Sequence, residues 1–162
     1  MNDTRQDLVD IIVLILLKYK KNKDGQIKEI LQTALRRVEV FLPIDISEAA
    51  NNMANQLNIP SLYNFTWSDQ KGKSRMNDPK RSIFHWEHFK PIKQQISELV
   101  SLPEITQDAV AKVIFDNKIC WILKEENRKL DRIAKSYRPD PNKAYEKASI
   151  RLMGIKTQNR YI

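Results

Sequence analysis

The feature that most constrains the fold is the run at residues 8–17, LVDIIVLILL, the most apolar segment of the chain. A helix that spans a bilayer needs about 20 apolar residues, and this run is about half that long. It also contains Asp10, and Asp3 and Asp7 precede it, whereas a secretory signal begins with basic residues. The run therefore predicts a buried helix in a protein without a membrane partner, and the single Cys120 fits the reducing cytoplasm.

Composition excludes several other classes of protein. One cysteine rules out a disulfide framework and a multi-cysteine zinc ribbon. Three glycines argue against a glycine-rich nucleotide-binding fold and against a turn-rich barrel. The hydrophobic share of 41% is enough to build a core, so the chain is not expected to be disordered.

Three helices are predicted in the first part of the chain. The first covers about residues 4–21, where apolar side chains recur at intervals of three and four residues all round the helix. The second covers about residues 26–41 and ends before the next proline. The third begins after Ser47, a preferred N-cap residue, and ends near Leu57.

Two strands and a helix are predicted in the second half. Residues 82–89, SIFHWEHF, mix β-branched and aromatic residues with polar ones, and residues 118–124, KICWILK, are apolar between two polar turns. Helical stretches lie between them, at about 92–114. Residues 125–135 begin with two glutamates and end with basic residues, a charge order that complements the helix dipole.

This order of elements predicts an α+β fold that is mainly helical and has three parts. Residues 1–60 form a helical unit with a DNA-binding or dimerising role. Residues 61–81 form a long, mobile, positively charged loop. Residues 82–162 form a small strand–strand–helix core that ends in a basic tail.

The charge distribution points to nucleic acid as the partner. The formal net charge is +8, and twelve lysines and arginines stand against five acidic residues from position 118 to the end. Phosphate is the commonest partner of such a surface, and Trp67, Trp86, Tyr137 and Tyr145 lie near basic residues and could stack on bases. The candidate nucleic-acid contacts are Lys71, Lys73, Arg75, Lys80, Arg81, Arg128, Arg132 and Arg138. The alternative is a solvated face that keeps the protein in solution.

The pair Glu87–His88 is the candidate for chemistry. A phosphodiesterase that uses one metal ion needs a neutral imidazole as base, a group that orients it, and oxygen ligands for a hard cation. His88 can be the base and Asn117 the orienting group. Glu87 can be one ligand of Mg²⁺ or Mn²⁺, and Asn127 or Glu126 the second.

These residues resemble the motif of the HNH nucleases, also called ββα-metal or His-metal-finger nucleases. In that family an acidic residue and a histidine end the first strand, an asparagine supports the histidine, and the following helix carries the last ligand. The resemblance covers about residues 82–140, on Glu87–His88, Asn117 and Asn127. About thirty residues separate the Glu–His pair from the second strand, where the family usually has a short loop. The resemblance implies a metal-dependent endonuclease that acts on DNA rather than RNA, of the restriction or phage-defence type, and a palindromic target would require a homodimer.

A structural role for each of these residues is the alternative. His88 could be a partly buried histidine, Glu87 could pair with Lys90 or Arg81, and Asn117 could hold a turn. Glu126 could simply favour the helix dipole. The protein would then be a non-enzymatic helical DNA-binding or protein-interaction module, such as a regulator or antitoxin-like partner. The discriminating observation is whether His88, Glu87 and an oxygen from the last helix converge.

Overall fold

The computed structural model describes residues 3–70, 76 and 78–156 of the chain. Within these residues it contains seven α-helices and three strands, and it confirms the predicted α+β, mainly helical fold. The elements in chain order are α1 (Asp3–Asn22), α2 (Gly25–Arg37), β1 (Ile44–Ile46), α3 (Glu48–Gln56), β2 (Phe84–His88), α4 (Ile92–Val100), α5 (Gln107–Phe115), β3 (Ile119–Leu123), α6 (Lys124–Ala134) and α7 (Pro141–Lys147).

The three strands form one mixed sheet in the order β1-β3-β2. β1 runs parallel to β3, and β2 runs antiparallel to it with Trp86 opposite Trp121 and Glu87 opposite Cys120. Both strands that the sequence predicts, β2 and β3, are present at the predicted places. β1 is an addition, since the sequence shows only a link between two helices there.

The sheet separates two hydrophobic clusters. All five residues of β3 are buried, and alternate side chains along the strand point to opposite faces. Trp121 joins a large core together with Val9 and Leu35 of the first two helices, whereas Cys120 and Ile122 pack with side chains of α6 and α7. The segments before and after position 61 therefore share one sheet and one main core.

Helix α1 lies against this core on one side only. Val9, Ile12 and Leu16 are fully buried, whereas Ile11 and Leu14 are 50% and 64% exposed. The prediction of a helix buried nearly all round is therefore wrong for the outer face. Within the described ranges, no helix is both long and apolar enough to cross a membrane.

The segment predicted as a mobile loop, 61–81, is largely packed in its described part. Its residues form three short 3-10 turns, at Leu62–Asn64, Trp67–Gln70 and Pro79–Arg81. Asp78 is fully buried, and its carboxylate accepts hydrogen bonds from the backbone N–H groups of residues 82, 83 and 84 at 2.9–3.0 Å and from the Gln70 amide at 2.9 Å. A buried carboxylate is stable only with such partners, so Asp78 fixes the path of the chain into β2.

The end of α2 leads into the candidate site. The predicted second helix is α-helical as far as Arg37 and continues as a 3-10 turn over Val38–Phe41. Leu31, Leu35 and Val38 are buried, and the arginines between them lie on the exposed side. The buried positions thus set the rotation of α2 and bring its last arginines to the edge of the sheet beside β2.

Candidate functional site

The structure places Glu87 and His88 on opposite faces of the sheet. They are consecutive residues of β2, and successive side chains of a strand point to opposite sides. His88 lies on the same face as Trp86, towards the end of α2, and Glu87 lies on the face that α6 and α7 cover. The side chains of the predicted base and of the predicted first metal ligand therefore point to opposite sides of the sheet, although both residues border the cavity described below.

Glu87 is engaged by two partners inside the protein. Its Oε1 lies 2.7 Å from Nη1 of Arg138, and its Oε2 lies 2.8 Å from Nε2 of His85. Burial alone would raise the pKa of Glu87, but the His85 hydrogen bond and the Arg138 charge outweigh burial and lower that pKa. With both oxygens engaged, Glu87 is not placed to bind a metal ion.

Arg138 is an internal charge, and its prediction as a nucleic-acid contact is wrong. Its side chain has no exposed surface. Besides the ion pair with Glu87, its Nε donates to the carbonyl of Ala134 at 2.8 Å and its Nη1 donates to the carbonyl of His88 at 3.1 Å. Arg138 therefore ties the end of α6 to the end of β2.

Asn117 holds a turn instead of orienting the imidazole. Its Oδ1 accepts hydrogen bonds from the N–H groups of Lys90 and Lys118, at 2.8 and 2.9 Å, and its amide donates to the Lys90 carbonyl at 3.0 Å. These bonds join the exit of β2 to the entry of β3. Asn117 thus bonds the backbone of Lys90, two residues after His88, and no hydrogen bond joins it to the imidazole among the described residues.

Glu126 caps α6 and hydrogen-bonds the residue that caps α3. Its Oε2 accepts from the N–H of Leu123 at 2.8 Å, at the start of α6, and from Ser47 Oγ at 2.6 Å. Ser47 Oγ in turn accepts from the N–H of Ala50, which confirms Ser47 as the N-cap of α3. This carboxylate is buried and committed to the fold, so its predicted role as a metal ligand does not fit.

Asn127, the other predicted ligand, has a buried Oδ1 that lacks a hydrogen-bond partner. It lies on α6, on the side of the sheet away from His88. In the part of the chain that the structure describes, no three His, Cys, Asp or Glu side chains are grouped as a metal site. The described residues do not assemble the predicted Mg²⁺ or Mn²⁺ site, and that metal stays a prediction.

The predicted basic contacts fall in three places. Lys71, Lys73 and Arg75 lie outside the described residues. Arg128 and Arg132 are exposed on α6, behind the sheet as seen from His88. Lys80 is exposed next to Arg81, and the guanidinium carbon of Arg81 lies 3.4 Å from the centre of the Trp67 ring.

A cavity of about 520 Å³ opens between the end of α2, the start of α4 and the edge strand β2. Arginines, tryptophans and one histidine contribute most of its functional groups. We call it the arginine–tryptophan cleft and define it by Arg36, Arg37, Trp67, Trp86 and His88. Thr33, Glu39, Glu87, Pro91 and Ile92 complete its lining.

Sequence reasoning found part of this cleft. It named His88 as functional and Trp67 and Trp86 as residues that could stack on bases. It missed Arg36 and Arg37, because a basic pair in the last turn of a helix is already explained by the helix dipole. The local signal that could have indicated a binding site here is the pair of adjacent arginines next to the apolar Leu35 and Val38.

The electrostatics of the cleft depend on His88 and Glu39. Nε2 of His88 is buried, lacks a hydrogen-bond partner and lies 3.9 Å from Oε2 of Glu39. Burial, with a smaller contribution from Arg36, lowers the pKa of His88 to about 4. Burial raises the pKa of Glu39, although the hydrogen bond from Trp86 Nε1, at 3.0 Å, and the two arginines oppose this. At neutral pH the imidazole is therefore uncharged. The cleft is lined by the guanidinium groups of Arg36 and Arg37 and by two carboxylates, Glu39 and Glu87, of which Glu87 is paired with Arg138.

Comparison of the chain with protein-family models, with curated proteins and with solved structures finds no match. The resemblance to HNH nucleases therefore stays a prediction. The cleft itself is the main support for a function.

Proposed function

We propose that the protein binds DNA through the arginine–tryptophan cleft. The observation that carries this proposal is the meeting of two exposed arginines with two indole rings and an uncharged histidine in one concave site. Arginine is suited to phosphate because its planar guanidinium donates two parallel hydrogen bonds. Tryptophan offers a flat apolar surface to a base. Together these side chains match the two chemical parts of a nucleotide.

The two arginines are available for a phosphate. No described carboxylate forms an ion pair with Arg36 or Arg37. Glu39 acts on them at longer range, and its carboxylate accepts the Trp86 N–H. The net charge of the chain, +8, adds attraction for a polyanion at long range.

The cleft is a better interface than the basic residues of the last third. Arg138 is buried in an ion pair. Arg128 and Arg132 are exposed on α6, and neither lies against an aromatic ring of the described residues. In the cleft, by contrast, cations and aromatic rings line the same cavity. We therefore expect the binding surface on the α2 side of the sheet.

The proposal predicts that Arg36→Gln/Arg37→Gln weakens DNA binding at least tenfold, because two phosphate contacts are lost. Fluorescence anisotropy of a labelled 20-nucleotide DNA, at low salt, measures the change. The matched control is Lys18→Gln/Lys21→Gln, which removes the same charge from exposed positions at the end of α1. Because α2 is 13 residues long, these lysines lie about 20 Å from the cleft, and at most a twofold change is expected. Equal losses in both variants, or no loss in either, would contradict the proposal.

A nuclease is the second candidate, and the state of His88 is the observation that favours it. The imidazole is uncharged at neutral pH and borders the cleft, so it is able to accept a proton there, and its lowered pKa of about 4 makes it a weaker base than a free histidine. Among the described residues no three His, Cys, Asp or Glu side chains are grouped as a metal site, so the hydrolytic reaction stays a prediction.

Incubation of supercoiled plasmid with Mg²⁺ or Mn²⁺ separates the two candidates. If the protein only binds DNA, the plasmid stays intact with the wild type and with His88→Asn, and both proteins shift it in a gel that contains chelator. Cutting by the wild type that disappears in His88→Asn, while binding persists, would make nuclease the function. The asparagine keeps a polar group at this position, so the comparison changes little besides the base.

A further inference from the structure

We infer that the arginine–tryptophan cleft takes a single unstacked nucleotide, so that the protein binds single-stranded DNA in preference to duplex DNA. This inference rests on the proposed function and names the form of DNA that the site accepts. It depends on the shape of the site and on the different exposure and contacts of its two tryptophans.

The concave shape of the site favours a single nucleotide over reading of a duplex groove. A protein reads duplex DNA by inserting a protruding helix or ribbon into the major groove. Here the arginines, the indoles and the histidine line a cavity of about 520 Å³. A base can enter such a cavity only after it has left the stack, which costs a duplex more free energy than a single strand. The volume falls in the range of about 300–1,000 Å³ that is typical of sites for small organic ligands.

Trp67 is placed to stack on the base. Its side chain is 46% exposed where it borders the cleft, and the Arg81 guanidinium lies over its ring at 3.4 Å. Arg81 also donates to the carbonyl of Trp67 at 3.4 Å. The indole is thus oriented before a ligand arrives, which reduces the entropy lost on binding. Stacking of a base on an aromatic side chain adds to the affinity for a single strand.

Trp86 is more buried than Trp67 and forms part of the wall of the cleft. It is only 8% exposed, its N–H is bonded to Glu39, and its ring packs edge-on against Trp121 at 4.7 Å between centroids. Both its edge and its ring are committed to the fold. The stacking contribution is therefore expected from Trp67, and Trp86 is expected to contribute shape.

The polar groups of the cleft are arranged for the two ends of a nucleotide. Arg36 and Arg37 are exposed at the end of α2, where a phosphate can reach them from solvent. The side chains of His88 and Glu39 are less exposed, at 16% and 25%, and the Glu39 carboxylate can accept a hydrogen bond from the edge of a base. This order puts the charged part of the ligand outside and its planar part inside.

Anisotropy titrations of a labelled 20-nucleotide single strand and of its duplex test the inference. We expect the single strand to bind at least tenfold more tightly than the duplex. Trp67→Leu should weaken binding of the single strand about tenfold and that of the duplex less than twofold. Trp67→Phe, which keeps a ring for Arg81, should lie between wild type and Trp67→Leu. The matched control is Tyr137→Leu, which removes an aromatic residue that is 60% exposed outside the cleft and should change neither affinity more than twofold.

The outcomes distinguish this inference from the proposed function. If the duplex binds as tightly as the single strand, or if Trp67→Leu and Tyr137→Leu behave alike, the nucleotide pocket is overturned. A tenfold loss in Arg36→Gln/Arg37→Gln under those conditions would leave DNA binding through the cleft intact. Absence of binding to either form of DNA would overturn both. Thermal midpoints of Trp67→Leu and Trp67→Phe equal to that of the wild type ensure that a loss of affinity reflects the ring and not the fold.

Discussion

Replacement of Arg138 by methionine is expected to lower the free energy of unfolding by about 3–5 kcal/mol, the cost of leaving one partner of a buried ion pair without the other. The Arg138 side chain is completely buried, and it bonds the Glu87 carboxylate at 2.7 Å and the carbonyls of Ala134 and His88. Methionine fills much of the same space without charge. The loss would therefore come from a buried carboxylate that keeps only its His85 hydrogen bond and from two carbonyls without donors. Urea titration measures this loss.

Two further variants make the test specific. Arg132→Met removes an exposed arginine from α6 and should change the unfolding free energy by no more than about 0.5 kcal/mol. Glu87→Gln combined with Arg138→Met should be more stable than Arg138→Met alone, because no buried charge remains unpaired. A loss below about 1 kcal/mol in Arg138→Met would show that this arginine does not hold the ends of β2 and α6 together.

Acidification from pH 6.5 to pH 4 is expected to cost the protein about 3 kcal/mol of stability through His88 alone. The pKa of His88 is about 4 in the folded protein and 6.5 in a free side chain. Between these values the unfolded chain binds a proton that the folded protein does not bind, so the stability falls as the pH falls. Below pH 4 both states are protonated at His88, and its contribution no longer changes.

The comparison of wild type with His88→Asn isolates this effect. Urea unfolding at pH 7, 5.5 and 4 should show that the wild type loses about 3 kcal/mol more than the variant. Glu87 has a lowered pKa and also costs stability below about pH 4.5, but it is present in both proteins and largely cancels. Glu39 has a raised pKa and acts in the opposite direction in both. Equal pH dependence of the two proteins would contradict a buried, uncharged His88.

The fold could be predicted wherever the signal is local. Ser47 at the start of α3, the apolar run of β3 and the charge order of α6 each depend on a few neighbouring residues, and the structure has these elements within a few residues of their predicted bounds. β1 could not be found in this way. It has three residues, too few to show alternation, and it exists because Ile44–Ile46 pairs with a strand far along the chain.

The candidate site shows the same division. The sequence predicts that Glu87 and His88 are consecutive residues of a strand. Consecutive side chains of a strand point to opposite faces, so the two side chains could be predicted to diverge. The ion pair between Glu87 and Arg138 could not be predicted from the sequence. Arginines in a proline-rich turn are usually on the surface, whereas Arg138 is buried. Likewise, Arg36 and Trp67 meet only because the packing of α2 and of the 3-10 turn at Trp67–Gln70 brings them to the same cavity.

The salt dependence of DNA binding tests the central claim most directly, because it counts the phosphates that a protein neutralises. For a single strand, the slope of log K against log salt concentration changes by about 0.7 for each phosphate contact. With two arginines in the cleft, the slope for Arg36→Gln/Arg37→Gln should be less steep than that of the wild type by about 1.4. Lys18→Gln/Lys21→Gln should keep the wild-type slope. If the arginine variant has the wild-type slope, the cleft does not hold the DNA backbone.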